Sequence, residues 1–167
     1  EVPALMGVFL DFENYAPRAQ SSAYALSYDA PVLAAFGQAE GIDMPPLERQ
    51  ERKRWLEDNA HHDAFSRFQV ESWRQRCRQL RQAVDEINPA FQFCVHPAPG
   101  TFLIEQAIWP EWTSPRSPLI LADATTFGRP AELVPHAEAL VANKRRIEPR
   151  PQRVNVEPFL YLGGVDP

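Results

Sequence analysis

Apolar and polar positions follow two rhythms along this chain. Near its start, Val8, Phe9 and Leu10 run unbroken between Gly7 and the carboxylates of Asp11 and Glu13. A short run that is apolar on both faces predicts a strand buried on both sides, as in a parallel sheet covered by helices. Asp11 and Glu13 are two residues apart, so on a continuing strand they share one face. From Pro17 to about residue 62 the pattern predicts an excursion. It begins as a polar loop, then forms a short helix with Asp29 at its N-cap, Pro31 in its first turn and Gly41 as its stop. A charged helix over Leu47 to Asn59 follows, with Trp55 and Leu56 as its apolar contacts.

The 3.6-residue rhythm is clearest in the next segment, where Phe65, Phe68, Trp73, Cys77, Leu80, Val84 and Ile87 recur. Asp63 can cap this helix and Asn88-Pro89 ends it. The spacing predicts Trp73, Cys77, Leu80, Val84 and Ile87 against a sheet, with Arg74, Arg78 and Arg81 on a solvated surface. Alternation over Phe91 to His96 predicts a second strand, which runs into Pro97-Ala98-Pro99-Gly100. A short helix over Thr101 to Trp109, a strand over Pro118 to Asp123, a helix over Glu132 to Arg145 and a strand over Arg153 to Leu162 complete the pattern.

Strands alternating with helices predict right-handed βαβ crossovers and a single α/β domain over residues 1–167, with a parallel sheet. Four strands are half of an eight-stranded (β/α)8 TIM barrel, whose usual size is about 250 residues. The chain opens on Glu1 and ends abruptly, so part of a larger barrel is the expectation, with a compact open α/β sheet as the alternative. Half a barrel carries unpaired strand edges, so self-association or docking to a missing barrel half is expected of it.

Composition narrows the partners. A net charge of −5 argues against an electrostatic nucleic-acid partner. No stretch approaches the ~18 apolar residues of a membrane span, so no membrane partner is expected. Seventeen prolines against seven glycines favour stiff loops over flexible linkers. Cys77 and Cys94 fall in a helix pattern and a strand pattern, which reads as two buried small hydrophobes; a disulfide between them stays open. The compartment stays open too, with a secreted or periplasmic one favoured.

Acidic groups mark the ends of three strands: Asp11 and Glu13, Asp123, and Glu157 within the last strand. His96 ends the remaining one. In a parallel sheet these groups share one rim, the end where α/β folds build their active sites. Hydrolysis of a glycosidic bond needs two carboxyls across that bond, one as acid and one as nucleophile or base. Glu13, Asp11, Glu157 and Asp123 are therefore the candidate catalytic residues. Tyr15, His96, Trp109, Trp112 and Tyr161 lie close by in sequence as candidate substrate-binding groups, since aromatic rings suit the apolar faces of sugars. No cofactor and no resident metal is expected.

The segment Gly7-Val8-Phe9-Leu10-Asp11-Phe12-Glu13 resembles the fourth-strand motif of chitinase-type glycoside hydrolases (family eighteen), which reads D-G-x-D-x-D-x-E. Met6 and Phe9 stand where the first two aspartates of that pattern would be. The resemblance implies Glu13 as general acid and Asp11 as its neighbouring partner. The chain is also similar to the retaining glycosidase barrels, with an acid Glu after strand four and a nucleophile Glu on strand seven. With the first strand here counted as the fourth, Glu157 falls on the seventh. Tyr28 to Phe36 is similar to a helix following the acid strand in some β-galactosidase-type barrels.

Two other classes share these features. A metal-dependent sugar isomerase or aldolase-type barrel would use Glu13, His96, Asp123 and Glu157 as mixed oxygen and nitrogen ligands. A non-catalytic carbohydrate-binding barrel domain would keep Glu13 as a hydrogen-bonded structural residue. Desolvation and the nearby Asp11 charge both raise a carboxyl pKa, which keeps such an acid protonated near neutrality. NMR titration of Glu13 is expected to show a pKa well above that of a solvated Glu (~4.3); a value at that level removes the general-acid role.

Overall fold

The computed structural model describes residues 5–10, 25–95, 103–114, 116–122, 138, 141–142, 145 and 154–157. They form a mixed α/β structure around a four-stranded parallel sheet. Strand β1 is Gly7–Leu10, β2 Gln92–Val95, β3 Leu119–Ala122 and β4 Val154–Glu157. The spatial order is β1-β2-β3-β4, the same as the order in sequence, and every pair is parallel. The register carries a row across the whole sheet, Leu10 to Val95 to Leu121 to Val156. Gly7 suits its place at the start of this sheet because an added Cβ would collide with the Gln92 carbonyl oxygen.

Among the described residues between β1 and β2 are three helices, α1 (Ala30–Glu40), α2 (Arg49–Asp58) and α3 (His62–Ile87). Helix α1 starts after Asp29 with Pro31 in its first turn and ends on Gly41 at φ 67°, as the cap residues predict. The Glu48 amide opens α2 by donating to Glu51 Oε2 at 3.1 Å, one half of a capping-box exchange. Asp63 lies in the first turn of α3 rather than at its cap, where a negative charge still meets the positive helix end. Leu33, Phe36, Leu56 and Phe65 form a small core for this excursion, with Phe36 edge-on to Phe65. Gln69 pins it to α3: its amide accepts from Ser27 N at 2.8 Å and donates to Ser27 O at 3.1 Å.

The main core lies between α3 and the sheet. Cys77, Phe93, Val95, Ile108, Trp109, Trp112 and Leu119 fill it, with Leu10, Val84 and Phe91 packed around them. A single π-helical turn, Ile104–Ile108, leads into helix α4 (Trp109–Trp112), and both pack on α3. Glu138, Val141, Ala142 and Arg145 are helical, within the helix predicted over Glu132 to Arg145. No described helix is long and apolar enough to cross a membrane.

The face that α3 turns inward differs from the one its apolar spacing predicts. Cys77 is buried and Val84 half-buried, as expected, but Arg81 is only 5% exposed. Its guanidinium donates to the Phe91 carbonyl at 2.8 Å and to Asp85 Oδ1 at 2.6 Å, and lies 5.0 Å over the Phe93 ring. Arg74 and Arg78 converge on Glu111, at 2.5 and 3.2 Å, so they are interface groups rather than a solvated surface. Trp73, Leu80 and Ile87 are correspondingly 38%, 45% and 89% exposed. The physical reason is that a paired guanidinium on an apolar stem fills an interface as well as Leu does, provided each donor finds an acceptor.

This rotation reverses the expected cost of losing Trp73. Urea unfolding should show Trp73→Ala costing below ~1 kcal/mol, while Trp109→Ala in the core costs ~3–5 kcal/mol. Equal costs at the two positions would contradict the observed packing.

Candidate functional site

The parallel register determines where strand-end chemistry can gather. Leu10, Val95, Ala122 and Glu157 are the last residues of β1 to β4, and parallel pairing puts all four ends on one edge of the sheet. In sequence, Asp11, His96 and Asp123 come immediately after the first three of these. Glu157 is itself the last residue of β4, with its Cα opposite that of Ala122. Asp11, Glu13, Tyr15, His96, Asp123 and Tyr161 lie outside the described residues.

Trp109 and Trp112 are described, and both are buried in the main core. Trp109 is 1% exposed and Trp112 stacks on Phe93 with ring centroids 4.7 Å apart. A sugar platform needs an open ring face, and these faces are taken by core packing. The short α4 and the π turn before it place them there, because a π turn shifts side chains by an extra residue relative to a regular helix. No sequence rhythm announces such a turn.

Other polar groups are absorbed into structure. Tyr28 Oη and His62 Nε2 are hydrogen-bonded at 2.8 Å, and Arg52 donates to the Tyr28 carbonyl at 2.9 Å. Burial, and secondarily the Glu57 charge, push the Tyr28 phenol up from its ordinary value. His61 turns instead to Trp55, so the adjacent histidines have separate partners. No group of three or more His, Cys, Asp or Glu able to hold a metal occurs among the described residues. A groove of about 430 Å³ opens between the end of α1 and the outer face of α3, lined by Glu40, Arg67, Phe68 and Glu71. Its mixed charges suit no single ligand class.

Glu111 is the meeting point of an ion-pair network between two helices. This carboxylate, with a side chain only 8% exposed, faces two guanidiniums, and Arg78 in turn pairs with Glu71. The network joins α4 to α3. Sequence reasoning missed it; the arginines at 74 and 78, one helical turn apart, were its only trace.

Neither a family model, nor a curated protein, nor a solved structure matches this chain.

Beside this network the Cys77 thiol is pushed up to about 11 from an ordinary 9.0, first by burial, then by the Glu111 charge, with Arg78 opposing. The folded thiol thus holds its proton more tightly than the unfolded one. The stability this adds is fully present below pH 9.0 and is lost as pH rises towards about 11. Urea unfolding of wild type and Cys77→Ala at pH 8 and 10.5 should show the larger fall in the wild type. Equal falls would mean that the thiol titrates alike in both states.

Proposed function

We propose that this chain is a glycoside hydrolase half-barrel that hydrolyses glycosidic bonds with two carboxylates at the strand-end rim. The observation carrying this reading is the sheet itself: parallel strands in sequential order, whose carboxyl ends share one edge that includes Glu157. Sequential parallel order is the arrangement of a (β/α)8 barrel, whereas doubly wound open sheets reverse direction part-way. Asp11 and Glu13, His96 and Asp123 follow the last residues of β1, β2 and β3 in the sequence.

Roles follow from the chemistry. Glu13 protonates the departing glycosidic oxygen, and its ionised form later takes a proton from water. Glu157 attacks the anomeric carbon, forming a glycosyl ester that this activated water cleaves. Asp123, one strand nearer, is the reserve for nucleophile or base. Asp11 raises the affinity of Glu13 for its proton by like-charge proximity. Tyr15, His96 and Tyr161 orient the sugar. In sequence Glu13 follows β1 by three residues and Glu157 ends β4; those strands are three steps of roughly 4.8 Å apart, a span that barrel curvature would narrow towards the width of a sugar ring.

Aryl glycosides provide the test. Glu13→Gln should lose ~10²–10⁴-fold in rate on substrates with poor leaving groups and far less on activated ones. Glu157→Ala should recover turnover with azide, which replaces the missing nucleophile and yields a glycosyl azide. Full activity in both variants, or activity that tracks bound divalent metal, would overturn the two-carboxylate reading.

A further inference from the structure

Helix α3 carries an apolar stripe that the single chain leaves open. Trp73, Leu80 and Ile87 are exposed and follow one another at seven-residue steps. At 3.6 residues per turn such a step drifts by only ~20°, so the three form one row. Round the helix from this row, the inward residues Cys77, Arg81 and Val84 come first, and Arg74 and Arg78, which reach Glu111 on α4, lie farther in the same sense. On the other side of the row stand Arg76 and Ala83, both exposed. The stripe is thus turned away from α4, and the small Ala83 leaves room for another backbone beside it.

The charges along the same stretch show what fits there. From Trp73 to Ile87 the charged residues are Arg74, Arg76, Arg78, Arg81, Asp85 and Glu86. Arg74 and Arg78 pair with Glu111, and Arg81 with Asp85. Arg76 and Glu86 have no ion-pair partner among the described residues. They are opposite in sign and stand near opposite ends of the stripe, with the Arg76 guanidinium 5.8 Å over the Trp73 ring.

We propose that a second copy of this chain covers the stripe, the two α3 helices packing antiparallel about a two-fold axis at Leu80. Leu80 then meets Leu80, and Trp73 of each copy stands level with Ile87 of the other, because both lie seven residues from the axis. Arg76 falls within two residues of the level of Glu86 in the other copy, about 3 Å along the helix. One symmetry operation therefore answers both unpaired charges, twice over. Parallel pairing does not, since it sets Arg76 on Arg76 and Glu86 on Glu86, and like charges across a seam repel. The overlap also ends where it must. The other copy's α3 stops level with Trp73, short of Phe65 and Gln69, which α1, α2 and Ser27 already cover. A lipid surface would take the apolar row, but helices that lie in one carry basic residues along their polar margin, where α3 has Gln79, Gln82 and Glu86.

Sedimentation equilibrium of the chain, with circular dichroism as the folding control, tests this directly. The expected result is a dimer whose dissociation constant rises by about tenfold or more in Ile87→Arg. That side chain is already 89% exposed, so its replacement leaves the single-copy fold intact. Charge reversal supplies the second arm. Glu86→Arg should weaken the dimer roughly threefold or more, and adding Arg76→Glu, which restores opposite signs at each contact, should recover most of that loss. A monomer at every concentration, a dimer indifferent to Ile87→Arg, or a Glu86→Arg defect that Arg76→Glu fails to relieve would each overturn the proposal. A monomer that sediments with phosphatidylcholine vesicles, and ceases to in Ile87→Arg, would assign the stripe to a lipid surface instead. None of these readouts depends on glycoside hydrolysis, so the assembly and the hydrolase reading fail separately.

Discussion

The interaction on which the rest depends is the in-order parallel pairing of the strands, β1 to β2 to β3 to β4. A right-twisted strand feeding a right-handed crossover returns to the sheet in one direction, so unreversed steps send each crossover to the same face. That is why α3, the π turn and α4 form one layer, and why one core, from Cys77 to Leu119, lies between that layer and the sheet. It is also why every strand's carboxyl end reaches one edge. The layer and the rim are two consequences of one topological choice.

The layer is held by charge as well as by apolar packing. Phe91 O accepts from Arg81 Nη1 at 2.8 Å and from Ser117 Oγ at 2.6 Å, so both lone pairs of one carbonyl at the start of β2 are used. Glu111 ties α4 to α3 through two arginines. Partners of this kind cost little while complete, and leave an uncompensated charge at an interface when one is removed. They also fix geometry more narrowly than apolar contacts, since donors must meet acceptors at set angles. The β2-to-β3 connection, with its two buried indoles, is the part that such angles would hold in register.

Legibility in the sequence followed the same division. The apolar runs Val8-Phe9-Leu10 and Leu119-Ile120-Leu121 marked strands, and the parallel α/β arrangement followed from their alternation with helices; burial on both faces did not follow for β1, where Val8 and Phe9 are 37% and 48% exposed. The caps of α1 at Asp29 and Gly41 were equally plain. The inward face of α3 was not. Apolar spacing treats Trp73 and Leu80 as core and Arg81 as surface, but it has no access to Asp85, Phe91 and Glu111, the partners that make arginine a core residue here. The stripe of Trp73, Leu80 and Ile87 reads as apolar periodicity whether it meets this sheet or another surface. For the candidate site, the strand-end carboxylates showed as a pattern, whereas Trp109 and Trp112 showed only as aromatic residues near them. A π turn and four residues of helix decided that those rings belong to the core.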